Sequence, residues 1–361
     1  MVTAAAGDLA HPHRAGKRER FARVSHALGV MPTLQWLRTF LRSEVRILTY
    51  HRVLDLPDES AFTFDLSLIS ASSEQFREQM RLVKRRFHPL RFDELASLLE
   101  AGRPLPRNAV IVTFDDGYDD NYRVAFPILR ELDMPATFFV STRHIDSGMP
   151  YAYDWLVHML CVTRADAVDL PEVNFRHAIP AGLAQRRELA ADLLDELKWL
   201  DDAQQGAIIA RLEREWSLPR TPHPDCRPMT WAQLAEMDAA GMEIGSHGVS
   251  HRMLAKLPAA DLHEEVFESK RMLEQQLKRP AAAISYPVGG SNAYNGQVIA
   301  AVESAGYKMA CTYIAGTNRL PLQAIYALNR LPVEREMNLA WFTGVLVWPE
   351  FFAHPTHLRI A

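Results

Sequence analysis

Adjacent aspartates end an apolar run in the first third of the sequence. Asp115 and Asp116 follow 109–114 (AVIVTF) and precede Gly117. Two neighbouring carboxylates repel each other unless a cation or a proton lies between them. A bound metal ion resolves this repulsion, because one aspartate can coordinate it while the other remains available as a base. The alternative is that the pair only caps a following helix, a common role for Asp after a strand.

A pair of histidines favours the metal. His247 and His251 follow another strand-like run, 242–246 (MEIGS), and are spaced i and i+4. If this segment turns helically, both imidazoles can reach one ion. With a strand-end aspartate they predict an Asp/His/His site. Three protein ligands leave a position for water, which is the mark of a catalytic centre rather than a structural one.

Two further segments end strands with polar or turn-forming residues. His51 follows 46–50 (RILTY), and it becomes a candidate acid because it is expected at the same end of the fold. The Pro-x-Gly-Gly turn of 287–290 follows the run 282–285 (AAIS). Such a turn brings backbone N–H groups close to a ligand, which suits an oxyanion site. A structural histidine and an ordinary strand-ending turn are the simpler alternatives.

These residues need a scaffold that gathers strand ends at one edge. Seven short apolar or β-branched runs meet that need, and helical patterns separate them. The runs are 46–50, 109–114, 136–141, 242–246, 282–286, 308–313 and 324–328. Continuous rather than alternating hydrophobicity indicates strands of a parallel sheet buried on both faces. The pattern therefore predicts an α/β fold, either a closed barrel or a doubly wound sheet.

The repeat of strand and helix is interrupted once and flanked at both ends. The stretch from about 150 to 225 is helix-rich with no convincing strand, and we interpret it as an insertion on one rim of the barrel. Residues 1–45 form a basic helical extension, 46–335 the barrel with its insertion, and 336–361 a C-terminal helix and tail. The apolar run within 339–348 is too short to span a membrane, which needs about 20 residues.

Composition excludes several functions. The net charge of −4 gives no global basic field, so we expect no nucleic-acid partner. Three cysteines without CxxC spacing argue against a disulfide framework and a cysteine zinc cluster. No secretory signal is recognisable, so a cytoplasmic location is the expectation. The apolar positions between Leu34 and Val45 lie beside Arg38 and Arg42. This predicts a basic amphipathic helix that either contacts an anionic membrane peripherally or packs on the barrel with a solvated basic face.

Together these motifs resemble the polysaccharide deacetylase family, the NodB-homology domain of carbohydrate esterases. TFDDG (113–117) and the strand-end His-x-x-x-His (247–251), in this order and at this separation, carry the resemblance, which covers roughly 46–335. The family fold is a distorted (β/α)7 barrel, in agreement with the seven runs. The resemblance implies that Asp115 is the general base. The implied metal ligands are Asp116, His247 and His251.

The resemblance also assigns the turn. The groove motif would run from Ser285 to Gly289, with the Val288 amide as an oxyanion donor. The implied substrate-binding residues are Tyr286, Pro287, Val288 and Gly289. The family often has Ser or Thr after the first histidine, where this chain has Gly248.

Two departures concern the catalytic residues. The usual Arg ahead of the groove proline is absent, since Ala282 and Ala283 stand in that region, and Arg330 is the candidate substitute partner of Asp115. The usual Leu-x-His near the C-terminus is also absent. A branch related to poly-N-acetylglucosamine deacetylases carries that histidine near the N-terminus instead. The segment 48–53 (LTYHRV) resembles this arrangement and makes His51 the expected general acid.

The resemblance implies a metal-dependent carbohydrate N-deacetylase that acts on an N-acetylated glycan or sugar. The cofactor would be a divalent metal, with zinc favoured and iron, cobalt or nickel also compatible with Asp/His/His. The alternatives are a hydrolase of another non-peptide C–N bond, such as a formamide or cyclic amide, and a non-catalytic carbohydrate-binding protein.

Overall fold

The barrel strands are short. Each contains only enough apolar residues to extend across the packed wall of the barrel. The computed structural model describes residues 17–27 and 29–353. Within them the strands, in chain order from β1 to β13, are Glu44–Tyr50, Arg52–Val53, Ile69–Ala71, His88–Leu90, Ala109–Phe114, Thr137–Val140, Ala167–Leu170, Phe175–Ala178, Glu243–Ser246, Ala283–Ser285, Met309–Ala315, Asn318–Arg319 and Leu328–Pro332.

Helices connect and cover these strands. In chain order from α1 to α15 they are Lys17–Ala27, Val30–Leu41, Ser73–Arg86, Phe92–Glu100, Phe126–Glu131, Thr142–Ser147, Ala152–Val162, Leu183–Leu197, Asp202–Glu215, Trp231–Ala239, Ala259–His263, Ser269–Leu277, Gly296–Ser304, Leu339–Val347 and Pro349–Phe352. π-Helical turns at Asn121–Ala125 and Glu264–Glu268 lead into α5 and α12.

Seven parallel strands close into a barrel. Their order is β1, β13, β11, β10, β9, β6 and β5, and β5 pairs back with β1. In that last pair Arg46 lies opposite Val110 and Tyr50 opposite Phe114. Parallel closure directs every carboxyl end to the same face of the barrel, where such folds place their active sites. The predicted barrel is thereby confirmed.

The seventh barrel strand lies four residues later than the sequence indicates. Residues 324–327 form a turn, in which the Ala327 N–H donates to the Ala324 carbonyl, and the strand is β13. The polar pair Asn329 and Arg330 ends the apolar run, so the periodicity alone favoured the wrong segment. Arg330 is on the strand and not past its end.

The insertion contains a β-hairpin that the sequence prediction missed. Strands β7 and β8 pair antiparallel, with Ala167 opposite Ala178 and Leu170 opposite Phe175. Its residues alternate between buried and exposed in β7, a pattern that a search for continuous apolar runs overlooks. Around the hairpin, α7, α8 and α9 bury a hydrophobic cluster separate from the barrel core, with Leu160, Leu193 and Leu212 among its members.

The N-terminal helix differs from its prediction in extent and in orientation. Helix α2 ends at Leu41, and Val45 already belongs to β1. Arg38 is not solvated: it pairs with Glu44 and Glu350, and its side chain is 9% exposed. Arg42 also pairs with Glu350. The basic residues therefore bind the helix to the rest of the chain.

The predicted C-terminal helix is present as α14, which is almost entirely buried. Among the described residues, no helix combines the length and the apolar character needed to cross a bilayer. The first sixteen residues of the predicted extension and the tail from 354 lie outside the described residues.

Candidate active site

Residues from five barrel strands meet at the carboxyl face. Each stands at the end of a strand or in the loop that follows it, apart from one arginine within β13. They are His51 after β1, Asp115 and Asp116 after β5, His247 and His251 after β9, Ser285 at the end of β10, and Arg330 in β13. The parallel closure of the barrel is what brings them together, because they are scattered over 280 residues of sequence.

Asp116, His247 and His251 form a compact cluster of potential metal ligands. Asp116 Oδ1 lies 3.4 Å from His247 Nε2 and 3.2 Å from His251 Nε2. One ligand atom from each residue lies within 4.8 Å of the other two. Asp116 is 3% exposed, and its Oδ1 has no hydrogen-bond partner. A buried carboxylate oxygen without a partner, facing two imidazoles, is a donor set that a divalent cation satisfies.

The imidazole of His247 is oriented for that role. Its Nδ1 lies 2.7 Å from the Ser285 carbonyl oxygen. Because a carbonyl can only accept a hydrogen bond, Nδ1 carries a proton, and Nε2 is the nitrogen that faces Asp116 and is available to a metal ion. A histidine whose second nitrogen donates to a carbonyl is the usual arrangement around protein metals, since it fixes both the tautomer and the ring.

The histidine segment is a turn and not the helical turn that the i, i+4 spacing suggested. Residues 248–250 are in a turn, and Gly248 and His251 have φ angles of 76° and 61°. Glu265, which is buried, holds this turn: Oε2 accepts from the N–H groups of Val249 and Ser250, at 2.7 and 3.0 Å. A Cβ at Gly248 would lie 2.7 Å from that same oxygen. Glycine is therefore favoured at 248 by the positive φ, and a larger residue would also displace the Glu265 carboxylate.

Asp115 lies next to the cluster and binds Arg330. The guanidinium donates two hydrogen bonds, Nη1 to Oδ1 at 2.8 Å and Nη2 to Oδ2 at 2.6 Å. Its Nε donates to the Thr312 carbonyl at 2.6 Å. Arg330 is fully buried and Asp115 is 2% exposed. The bidentate pair fixes the carboxylate plane more tightly than a single contact would, and it lies where the substitute for the missing arginine was predicted.

The electrostatics separate the two aspartates. Burial opposes ionisation of Asp115, but Arg330 outweighs it and holds the pKa of this carboxyl below its ordinary value. Burial likewise opposes ionisation of Asp116, and the adjacent His247 and His251 hold its pKa well below the usual range. Both carboxylates are therefore ionised at neutral pH, each stabilised by a different cationic partner.

The predicted groove turn is built from strained backbone. Val288 has a φ of 65°, which is costly for a β-branched residue. The Gly289 carbonyl accepts from the Tyr313 N–H at 2.7 Å, and a Cβ at Gly289 would lie 2.6 Å from that nitrogen. Ser285 connects the turn to the site, since its hydroxyl lies 3.4 Å from Asp115 Oδ2. Residues held in such conformations concentrate at functional sites.

The side chain of Tyr286 has a different place from the one predicted. It is 1% exposed, its hydroxyl donates to the Tyr326 carbonyl at 2.8 Å, and its ring stacks on Tyr294. Its side chain thus belongs to the barrel core, because the alternation of β10 directs it away from the site. A substrate contact by this residue could involve only its backbone.

His51 is half-buried at the rim of the site. Its N–H donates to the Ser70 hydroxyl at 3.0 Å, and its carbonyl accepts from Asn121 Nδ2 at 2.8 Å. Its ring lies 5.6 Å from that of Tyr313. The backbone is fixed on both sides, and the residue remains partly exposed.

The insertion, interpreted from the sequence as a lid or substrate wall, contacts the cluster through two tyrosines. The Tyr151 hydroxyl donates to the Asp116 carbonyl at 2.9 Å. The rings of Tyr151 and Tyr153 lie 5.1 and 5.3 Å from the ring of His251. Asp154 is buried and accepts from the Tyr118 hydroxyl at 2.8 Å. The insertion is therefore attached to the metal-ligand loop through tyrosines, which composition alone could not distinguish from core residues.

Comparison with known proteins agrees with this arrangement. The family model described as "Polysaccharide deacetylase" matches residues 102–310, more than half of the chain. A Bacillus subtilis (strain 168) protein, YxkH, whose name provisionally calls it a polysaccharide deacetylase, is 22% identical over 307 residues, which cover 85% of this chain and 77% of that protein. The Escherichia coli (strain K12) poly-beta-1,6-N-acetyl-D-glucosamine N-deacetylase is 33% identical over 92 residues, which cover 25% of this chain and 13% of that protein.

Solved structures share the fold. The Streptococcus pyogenes deacetylase PplD, in complex with acetate, aligns with a TM-score of 0.54 at 21% identity, over 82% of this chain and 95% of that one. The deacetylase domain of BpsB from Bordetella bronchiseptica aligns with a TM-score of 0.50 at 20% identity, over 81% and 97%. At these identities the similarity establishes the barrel architecture alone.

Proposed function

This chain belongs to the polysaccharide deacetylase family, and from that premise we propose that it is a metal-dependent N-deacetylase of an N-acetylated amino sugar. Family membership makes it a hydrolase of non-peptide carbon–nitrogen bonds. The metal and the amino-sugar substrate are the parts that the proposal adds.

One observation carries the proposal: two consecutive carboxylates have different partners. Asp115 is bound by Arg330, whereas Asp116 directs an unpartnered oxygen at His247 and His251. Amide hydrolysis with a metal needs this division, because a carboxylate that coordinates the ion cannot also accept a proton freely. A purely structural Asp-Asp pair would have no reason to leave one buried oxygen without a partner.

The ligands would be Asp116, His247 and His251, and zinc is the metal that we favour. A divalent cation held by them would polarise a substrate carbonyl and lower the pKa of water to about 7. The imidazole of His247 is already oriented by Ser285, and Tyr151 holds the Asp116 backbone. Little of this donor set would have to move on binding.

Asp115 is the proton acceptor in this proposal. It is ionised at neutral pH, because Arg330 keeps its pKa low, and it is held rigidly by the two guanidinium hydrogen bonds. As water attacks the acetamide carbonyl carbon, Asp115 takes the proton that the water loses. Arg330 does not contact the reacting atoms in this scheme; it positions the base.

His51 would protonate the leaving nitrogen. Expulsion of an amine from a tetrahedral intermediate requires a proton, since an unprotonated amide anion is a very poor leaving group. The residue is partly exposed with its backbone fixed, which suits a group that must reach a sugar nitrogen. The Val288 N–H is the donor that we assign to the developing oxyanion.

The first test is acetate release from N-acetylglucosamine oligomers by zinc-reconstituted protein, with Asp115→Asn alongside. We expect metal-dependent release by the wild type and a loss of about a thousandfold in the variant, in the range for a general base. His51→Gln should lose more activity than Val288→Ala, because only the backbone of Val288 is assigned a role.

Absence of release by both proteins, with one equivalent of zinc bound, would contradict the proposed substrate. Formamide and cyclic-amide substrates assayed in parallel would then identify another non-peptide C–N hydrolase. Sugar binding without turnover would indicate a carbohydrate-binding protein.

A further inference from the structure

The outer side of α2 exposes a cluster of large apolar residues. Trp36 and Phe40 are each 68% exposed, Leu41 is 66% exposed and Leu37 is 45% exposed. The rings of Trp36 and Phe40 stack at 6.0 Å. We call these four residues the α2 apolar face. A contiguous apolar patch of this kind is uncommon on the surface of a monomeric protein and marks an interaction site.

This exposure does not come from a loosely attached helix. Gln35 Nε2 donates to the Arg86 carbonyl at 3.0 Å, and the Thr39 hydroxyl bonds to Asn108 Oδ1. Arg38 pairs with Glu44 and Glu350. The inner side of α2, which also buries Met31 in the core, is thus firmly attached, and a second apolar side faces outward.

The surroundings of the α2 apolar face are positively charged. Arg85 and Arg107 are neighbours in sequence of Arg86 and Asn108, the two residues that anchor α2. Both are exposed, and neither forms an ion pair with another residue in the described ranges 17–27 and 29–353. The nearby acid Glu350 is matched by Arg38 and Arg42. Two exposed arginines without an acidic partner among the described residues therefore adjoin the points where α2 is anchored.

We propose that the α2 apolar face rests on the surface of an anionic phospholipid bilayer. Trp and Phe rings prefer the boundary between headgroups and acyl chains, and flanking arginines attract lipid phosphates. The charge distribution favours this occupant over a second copy of the chain, because two such faces would bring like charges together. The predicted membrane contact through basic Arg38 and Arg42 is replaced by one through aromatic and aliphatic residues.

The location of the face determines which way the active site points. Helix α2 precedes the first residue of β1, whereas His51 follows its last residue. Seven residues at about 3.3 Å each separate the two ends by roughly 20 Å. A bilayer at the α2 apolar face would therefore lie at the amino end of the barrel, opposite the active site. The site would open toward the aqueous phase, where it meets a polymer rather than a lipid headgroup.

Vesicle flotation with the full chain tests the proposal. We expect the wild type to float with phosphatidylcholine vesicles that contain 30% phosphatidylglycerol (about the anionic content that recruits basic surfaces). The double variant Trp36→Ser with Phe40→Ser should bind at least tenfold more weakly. Trp199→Ser is the matched control, since Trp199 is also an exposed tryptophan, 60% exposed, but belongs to the insertion. It should bind like the wild type.

Charge is tested separately. Arg85→Gln with Arg107→Gln should weaken binding to anionic vesicles and leave the weak binding to pure phosphatidylcholine unchanged. The proposal is overturned if the wild type binds neither vesicle, or if Trp199→Ser loses binding as much as the double variant. It is also overturned if sedimentation velocity without lipid shows a dimer that Trp36→Ser with Phe40→Ser dissociates. Acetate release from a soluble substrate should be the same in all variants, so failure here leaves the proposed function untouched.

Discussion

Two arginines are buried within adjacent barrel strands, Arg46 in β1 and Arg330 in β13, but their acidic partners lie at opposite ends of the barrel. Their charges are compensated differently. At the carboxyl end, Arg330 donates two hydrogen bonds to Asp115 and one to the Thr312 carbonyl. At the amino end, Arg46 Nε donates to the Leu346 carbonyl, and its Nη2 lies 2.7 Å from Glu44 Oε1 without the alignment of a hydrogen bond. Burial lowers the pKa of Arg46 to about 10, whereas Asp115 outweighs burial and raises the pKa of Arg330.

The difference shows that a buried ion pair does not by itself indicate catalysis. Glu44 also accepts from Arg38, and through Glu350 the amino-end network connects α2, β1 and the C-terminal helices. Asp115, in contrast, has Arg330 as its only arginine partner within residues 17–27 and 29–353, and it stands next to a cluster of potential metal ligands. The amino-end network serves stability, while the carboxyl-end pair aligns one carboxylate.

The largest expected effect is a difference in kcat between variants of the two acidic partners, Asp115 and Glu44. Asp115→Asn should lower kcat for acetate release about a thousandfold, because the amide cannot accept the proton. Glu44→Gln should leave kcat within about twofold, since general-base chemistry is not assigned to it. Zinc content by mass spectrometry is the control and should stay at one equivalent in both. A comparable loss of kcat in Glu44→Gln would remove the functional distinction between the ends.

Removing the arginines should separate activity from stability. Arg330→Met leaves Asp115 buried without its cation, so the free energy of unfolding should fall by about 3–5 kcal/mol and kcat by about a hundredfold. Arg46→Met leaves Glu44 paired with Arg38, and we expect a loss of about 1–2 kcal/mol with unchanged kcat. Urea denaturation and acetate release measure the two quantities. Equal losses of activity in both variants would contradict the assignment of Arg330 as the positioning residue.

The gain in stability on metal addition should depend on residues at the carboxyl end and not on those at the amino end. Zinc at a hundred times its Kd should raise the free energy of unfolding by about 2.7 kcal/mol. His251→Ala should abolish this gain, because it removes one of the three ligands. Arg46→Met should show the full gain on a lower baseline. Calorimetry of chelator-treated protein with and without zinc would show it, and a gain that survives His251→Ala would place the metal elsewhere.

The smallest expected effect is the loss of stability that the amino-end network undergoes at low pH. Burial would raise the pKa of Glu350, but hydrogen bonds from Arg38 and Arg42 lower it from 4.5 to about 2. The carboxylate therefore contributes stability above about pH 4.5, and this is lost as the pH falls from 4.5 to 2. Its side chain is 47% exposed, so solvent limits the contribution to about 1 kcal/mol or less. Glu350→Gln should be less stable than the wild type at pH 7 and equal to it near pH 2.

Much of the barrel was predictable because its strands are buried on both faces. The run 109–114 and the other continuous apolar runs alternate with helical patterns. This combination is typical of parallel strands that are buried on both faces. The last strand was misplaced because Asn329 and Arg330 interrupt its apolarity for the sake of the site. The hairpin of β7 and β8 was missed because one face of it is exposed.

The site was predictable where side chains do the chemistry and unpredictable where the backbone or a distant residue does. Asp115, Asp116, His247 and His251 are visible as strand-end motifs. Glu265 is not, since it lies in a helical segment with no motif and acts by accepting two backbone N–H groups of the histidine turn. The role of the insertion tyrosines, Tyr151 and Tyr153, stayed open between sugar stacking and core packing, because a ring at a site has the same sequence signature as one in a core.

Barrel closure has a consequence for synthesis. Strand β1 pairs with both β5 and β13, so the barrel cannot close until the last strand has been synthesised. Arg330 arrives with that last strand, 215 residues after Asp115. A nascent chain that has emerged only as far as β11 contains both aspartates and both histidines but has neither the closing strand nor the guanidinium that orients the base. Chains that end before β13 would therefore lack the arginine that orients the proposed base.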